Sequence, residues 1–107
     1  MRTRLDHTTT ECPTEVAVEI LGGKWKLVVL EHLRDGVLRF GELRRALPSI
    51  TPRMLTRQLR ELEADGIVHR QVHPVVPPKV EYSLTDLGRS LDPLLTELRA
   101  WGEKYRT

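Results

Sequence analysis
Along most of the chain, apolar residues recur at the helical spacing of three and four, and glycine or proline pairs break the pattern into segments. Val16, Ala17, Ile20 and Leu21 form one side of a short first helix that begins at Cys12-Pro13. Pro13 takes its first position and Gly22-Gly23 stops it. Trp25, Val28, Val29 and Leu33 give a second helix, Lys24 to Arg34, a wide apolar face closed by Asp35-Gly36. Trp25 reads as a core anchor, not as a platform for stacking a ligand. Val37-Leu38-Arg39 is a short extended piece. A third helix runs from Phe40 to Leu47, with Phe40, Leu43 and Leu47 inward, Arg44 and Arg45 outward, and Pro48 at its end.

Pro48-Ser49-Ile50 makes a tight turn into the best-marked helix of the chain, 51–65. Thr51 is a good N-cap, Pro52 fits the first helical position, and Gly66 suits the left-handed residue past the end. Leu55, Leu59 and Leu62 share its buried face. Two helices joined by so short a turn form a helix-turn-helix with the second in the recognition position. After Gly66 the period shortens towards 2: Ile67 to His73 is strand-like, Pro74-Val75-Val76-Pro77-Pro78 is a loop, and Lys79 to Leu84 alternates cleanly. A hairpin directly behind a helix-turn-helix is a wing, here 67–84.

Thr85 caps a last helix, 85–106, in which Leu87, Leu91, Leu94, Leu95, Leu98, Trp101 and Tyr105 share a stripe and Pro93 forces a kink or a restart. At 1.5 Å per residue such a helix is about 30 Å long and outruns its own domain. Leu91, Leu94, Leu95, Leu98 and Trp101 are therefore the expected interface of a homodimer, in preference to packing within the chain, and the first helix of the other protomer is a candidate to join them. The fold class expected is mainly α with a small β-hairpin (α+β): a winged helix-turn-helix with N- and C-terminal dimerisation helices. It occupies one domain, 12–107, behind a polar tail, 1–11.

Charge alters this picture by its distribution. The chain of 107 residues has a formal net charge of only +2, yet between Arg39 and Arg60 stand six arginines and a single acid, Glu42. That local excess is the electrostatic footprint of a phosphate-bearing partner. On the wheel of the fourth helix, Arg53, Arg57 and Arg60 lie opposite the leucines, with Met54 and Thr56 at the flanks. No carboxylate is expected to interrupt the row, because Glu61, Glu63 and Asp65 lie later and mostly to the side. Guanidinium forks meet phosphates or the O6/N7 edge of guanine. The candidate contacts to double-stranded DNA are Thr51, Arg53, Met54, Thr56 and Arg57 near the helix start, Arg60 and Arg44 towards the backbone, and Arg70 and Lys79 on the wing. Two blander readings stand beside this one. The arginines could form an ordinary solvated helix face, the reading the helix favours by itself and its neighbours in the chain weigh against. The winged helix could also be a protein-interaction module with no specific DNA target; the acid-free arginine face, together with Arg44, Arg45 and a basic wing, argues against that.

Other classes fall away. Apolar and charged fractions of 39 % and 30 % belong to a soluble globular chain. There is no run of 18 apolar residues and no signal-like start, so a cytoplasmic protein without membrane attachment is expected. One cysteine rules out an internal disulfide framework. No phosphate loop, nucleophile elbow or carboxylate pair is present, and His69 and His73 lie about 13 Å apart on one strand, too far to share a metal. Neither enzyme chemistry nor a metal or cofactor is expected.

Four stretches together resemble a known family: Ile20-Leu21-Gly22-Gly23-Lys24-Trp25, Arg39-Phe40-Gly41-Glu42-Leu43, the run from Met54 to Val68, and Val76-Pro77-Pro78-Lys79-Val80-Glu81-Tyr82-Ser83-Leu84-Thr85. They are similar to the signatures of HxlR-type winged-helix transcriptional regulators, distant relatives of the MarR type, over nearly the whole chain from Cys12. The resemblance implies a homodimeric bacterial or archaeal DNA-binding regulator that represses or activates nearby genes. Two recognition helices about one turn of DNA apart would then meet a pseudo-palindromic operator. It also implies a candidate role for Cys12, since in some members a Cys-Pro thiol at this place senses oxidants or electrophiles. A helix N-terminus favours the reactive thiolate, which makes that role physically reasonable. The alternative is an unreactive interface or core cysteine.

Overall fold
The computed structural model describes residues 12–106. Its elements are α1 (Pro13–Leu21), α2 (Lys26–Leu33), β1 (Leu38–Arg39), α3 (Phe40–Ala46), α4 (Pro52–Ala64), β2 (Val68–His73), β3 (Lys79–Leu84), α5 (Asp86–Arg89) and α6 (Asp92–Arg106). The fold class is the expected one, mainly helical with a small antiparallel sheet. The polar stretch 1–11 lies outside the described residues.

Helix α2 is the axis of the core. Val29, Leu30 and Leu33 are sealed from water, and the helix packs on α3, α4 and β3. Around it close Leu43 and Leu47, Ile50 of the turn, Leu55, Leu59 and Leu62 of α4, and Ile67, Val68, Tyr82 and Leu84 of the sheet. Each fully buried leucine contributes about 1.5–3 kcal/mol of transfer free energy. The helix starts at Lys26, later than expected, with Trp25 as its N-cap. Trp25 packs against the core under the Lys24 ammonium, 4.9 Å from the ring centroid. Val28 turns outward instead of joining the buried face.

The sheet has one strand more than the expected hairpin. Leu38 and Arg39 pair with Tyr82 and Glu81, giving the order β1-β3-β2. Two residues carry no readable alternation, so this edge strand becomes visible only when β3 lies beside it. The hairpin runs in register from Val68↔Leu84 to His73↔Lys79. Past Val68, strand β2 is exposed through Val72, so the wing stands away from the body.

The long last helix is two helices. Thr85 caps α5, where its hydroxyl accepts from the Gly88 amide at 3.0 Å and donates to the Gly66 carbonyl at 2.6 Å. Gly88 sits so close to the sheet that a Cβ would lie 2.3 Å from the Ile67 carbonyl oxygen. Gly66 has φ +76°, the left-handed conformation that a glycine adopts without strain. The chain breaks at Ser90-Leu91 and restarts as α6 with Pro93 in its first turn, where proline is tolerated. Helix α6 is fastened to α2 by polar contacts: Arg34 Nε donates to Asp92 Oδ1 at 2.8 Å, Arg34 Nη2 to Thr96 Oγ1 at 2.5 Å, and Arg99 Nη1 to Glu31 Oε2 at 3.1 Å.

Candidate nucleic-acid interface
Helix α4 separates its two faces completely. Leu55, Leu59 and Leu62 are buried, while Thr51, Arg53, Arg57 and Arg60 are exposed and Met54 and Thr56 half-buried at the flanks. Thr51 performs the cap read from its position, its Oγ1 accepting from the Met54 amide at 3.1 Å. That bond uses a lone pair, so the hydroxyl proton is still available to a phosphate or a base. Arg44 and Arg45 of the preceding α3 are exposed as well. The residues gathered at the start of α4 can therefore meet one ligand surface together.

The arginine row is not free of acid, which corrects the expectation. Glu61 follows Arg57 at i,i+4, one turn on, and its Oε2 accepts from Arg57 Nε at 3.4 Å. Its other oxygen, Oε1, lies 2.5 Å from the Nζ of Lys26, a lysine only 5 % exposed. Hydrogen bonding from Lys26 outweighs desolvation and, with a smaller contribution from Arg57, holds the Glu61 carboxyl below its ordinary value. Lys26 carried no role in the sequence, and Glu61 was expected to lie to the side of the arginine row. Their separation of 35 residues offers no local signal, although the i,i+4 spacing of Arg57 and Glu61 was there to be used.

The wing is less cationic than its sequence suggests. Glu81 accepts from His73 Nε2 at 2.6 Å and stands 3.7 Å from Lys79 Nζ. His73 first, then the charges of Lys79 and Arg39, keep the Glu81 carboxyl below its ordinary value. Arg70, across the sheet on β2, is exposed and remains the freest cation of the wing. At the tip, Val75 and Val76 are exposed.

At the other end of the molecule, the apolar stripe of α6 divides. Leu95 is 3 % exposed and belongs to the core of its own protomer, so its assignment to a dimer interface is withdrawn. Leu91 is half-buried against that core. Leu94 (41 % exposed), Leu98 (42 %) and Trp101 (63 %) are left uncovered, and Trp101 stacks on Tyr105 with centroids 5.3 Å apart. Val18 of α1 is also exposed. Among the described residues no group of His, Cys, Asp or Glu side chains could hold a metal ion, and no helix is long and apolar enough to cross a membrane.

An HxlR-like helix-turn-helix family model matches residues 20–107. The chain belongs to the HxlR family. The HTH-type transcriptional regulator YdeP of Bacillus subtilis (strain 168), itself uncharacterised, is 58 % identical over 95 residues, which span 89 % of this chain and 74 % of that protein. The redox regulator HypR in its reduced form superposes with a TM-score of 0.86 at 58 % identity, covering 89 % of this chain and 94 % of HypR. The reduced form of the transcriptional regulator YodB from B. subtilis gives a TM-score of 0.77 at 39 % identity, covering 90 % and 95 %. This HxlR protein is thus a helix-turn-helix transcriptional regulator, the function class expected from its residues. Its family and relatives are regulators, not enzymes by name.

In this HxlR chain Cys12 is exposed and stands at the N-cap of α1. The Glu15 amide donates to the Cys12 carbonyl oxygen at 2.9 Å, and the nearby amides of Glu15 and then Thr14 draw the thiol below its usual value. It is the one thiol in the sequence.

Proposed function
We propose that this HxlR-family regulator acts in the cytoplasm as a homodimer that places two copies of α4 in successive major grooves of a pseudo-palindromic operator. The observation that carries this reading is the division of labour between two helices: α4 hides its leucines and shows cations, whereas α6 leaves apolar side chains uncovered. A cationic helix beside a hairpin fits a duplex, and an uncovered apolar helix fits a second copy. Thr51, Arg53, Met54, Thr56 and Arg57 then reach base edges or adjacent phosphates. Arg60 and Arg44 hold backbone. Arg70 and Lys79 lie along the flanking backbone or minor groove. Leu94, Leu98 and Trp101, with Leu91 at the margin, join the protomers.

Cys12 is the proposed signal input. Its position and acidified thiol suit oxidation, and HypR, a relative of high identity, is named a redox regulator. An azo oxidant such as diamide takes two hydrogens while two thiols join in a disulfide, between the two Cys12 residues of a dimer or with a small thiol.

The test is a fluorescence-anisotropy titration of a duplex from upstream of the protein's own gene against a scrambled duplex, at two salt concentrations. Selective, salt-sensitive binding of one dimer per site is expected. Equal weak binding to both duplexes contradicts the reading. For the thiol, Cys12→Ser should keep its DNA under diamide while the wild type releases it; identical release removes Cys12 from the mechanism.

A further inference from the structure
The Lys26–Glu61–Arg57 contact joins the interior of the protein to its cationic surface. Lys26 rises from the first turn of α2 and is only 5 % exposed. Its ammonium nevertheless ends 2.5 Å from a carboxylate whose second oxygen faces Arg57. Arg57 itself is 70 % exposed and engages only through Nε, so that among the described residues nothing takes its two terminal nitrogens. Those nitrogens are one edge of the fork that meets guanine O6 and N7.

We propose that Lys26 is a positioning residue for DNA specificity: through Glu61 it holds Arg57 with its terminal fork presented outward for base reading. This rests on the proposed duplex contact of α4 and deepens it. A free arginine has many rotamers, and fixing one in advance lowers the entropy lost when the base contact forms. An uncompensated carboxylate beside DNA would do the opposite. It would draw Arg57 down onto both its oxygens and repel phosphate. Lys26 prevents this by occupying Oε1, leaving one long contact of 3.4 Å that orients the guanidinium without capturing it. The buried lysine thus makes an acid tolerable within an arginine row.

Removing one partner of a buried ion pair destabilises a protein, whereas replacing both by apolar side chains of similar size is often neutral. The test therefore uses Lys26→Met/Glu61→Leu together, with Lys26→Met alone and Arg57→Ala beside it, after thermal melts establish that each is folded. The probe is a 30-base-pair duplex selected by the wild-type protein from random sequence, with a scrambled duplex of the same composition and single-base substitutions of each guanine. Lys26→Met/Glu61→Leu is expected to lose roughly tenfold in affinity for the selected duplex and little for the scrambled one, with the loss confined to the base that Arg57→Ala also ceases to read. Adding Arg57→Ala to the double variant is expected to cause no further loss of discrimination, because the three residues act as one unit. Wild-type discrimination in the folded double variant, or a loss that adds fully to that of Arg57→Ala, overturns the inference and leaves the duplex contact standing. A wild type that selects no sequence from the pool overturns both.

Discussion

Helices α4 and α6 carry the same kind of leucine stripe and meet opposite fates. In α4 the stripe is completely buried and the charged side faces water; in α6 only Leu95 reaches the core while Leu94, Leu98 and Trp101 remain uncovered. The difference comes from what each helix leans on. Helix α4 crosses α2 at the centre of the domain, and Ile50 and Ile67 close the core at its two ends. Helix α6 continues past the domain and touches it along its first half, through Leu95 and the Arg34–Asp92, Arg34–Thr96 and Arg99–Glu31 contacts. A hydrophobic stripe therefore says that a helix needs a partner surface, but not whether that surface is in the same chain.

Substitutions along the two stripes should break this contrast in order of size. Leu59→Ala removes a buried side chain at the heart of α4 and is expected to lower folding stability by about 2–5 kcal/mol in a denaturant titration. Leu98→Ala should change that same stability by under about 1 kcal/mol once protomers are separate. Equal losses at the two positions would remove the contrast. Trp101→Ala, on the exposed part of α6, is expected to weaken self-association by about 2 kcal/mol in sedimentation equilibrium, as an aromatic anchor would. An unchanged association constant would place the interface elsewhere.

The outward face of α4 offers finer tests. Arg57→Ala should cost about 1–3 kcal/mol in operator binding with relaxed preference at one base, whereas Arg60→Ala should weaken binding evenly across sequences and lower the salt slope by about one. Exchanged behaviour would reverse the two roles. The smallest effect is acid-dependent. The Glu61 carboxyl is held below its ordinary value of 4.5, chiefly by Lys26. Because its folded value is depressed, Glu61 contributes stability that is present above that ordinary value and disappears as pH falls through the folded one. The stability difference between wild type and Glu61→Gln should thus shrink as pH drops below 4.5 in acid denaturation. A difference that grows on acidification would contradict the ion pair.

What was legible in the sequence is what local chemistry controls. Thr51 and Pro52 fix the start of α4, Gly66 its end, and Pro93 the restart of the last helix, because each acts on backbone within a turn of itself. The arginines of α4 were legible as a surface for the same reason. Three features were not. Leu38–Arg39 became a strand only by pairing with β3, the division of the α6 stripe depends on where the domain ends in space, and Lys26 finds Glu61 across 35 residues. A buried lysine looks in sequence like any other charge. Its partner is set by the packing of α2 on α4, which no periodicity encodes.

The most direct measurement is dimethyl-sulfate footprinting of a selected duplex, which reports guanine N7 in the major groove. Two protected clusters centred about 10 base pairs apart, with one guanine in each exposed again by Arg57→Ala, are the result expected of paired α4 helices on one face of DNA. Protection that is absent from N7, or confined to one cluster and indifferent to Arg57, would contradict major-groove reading by α4.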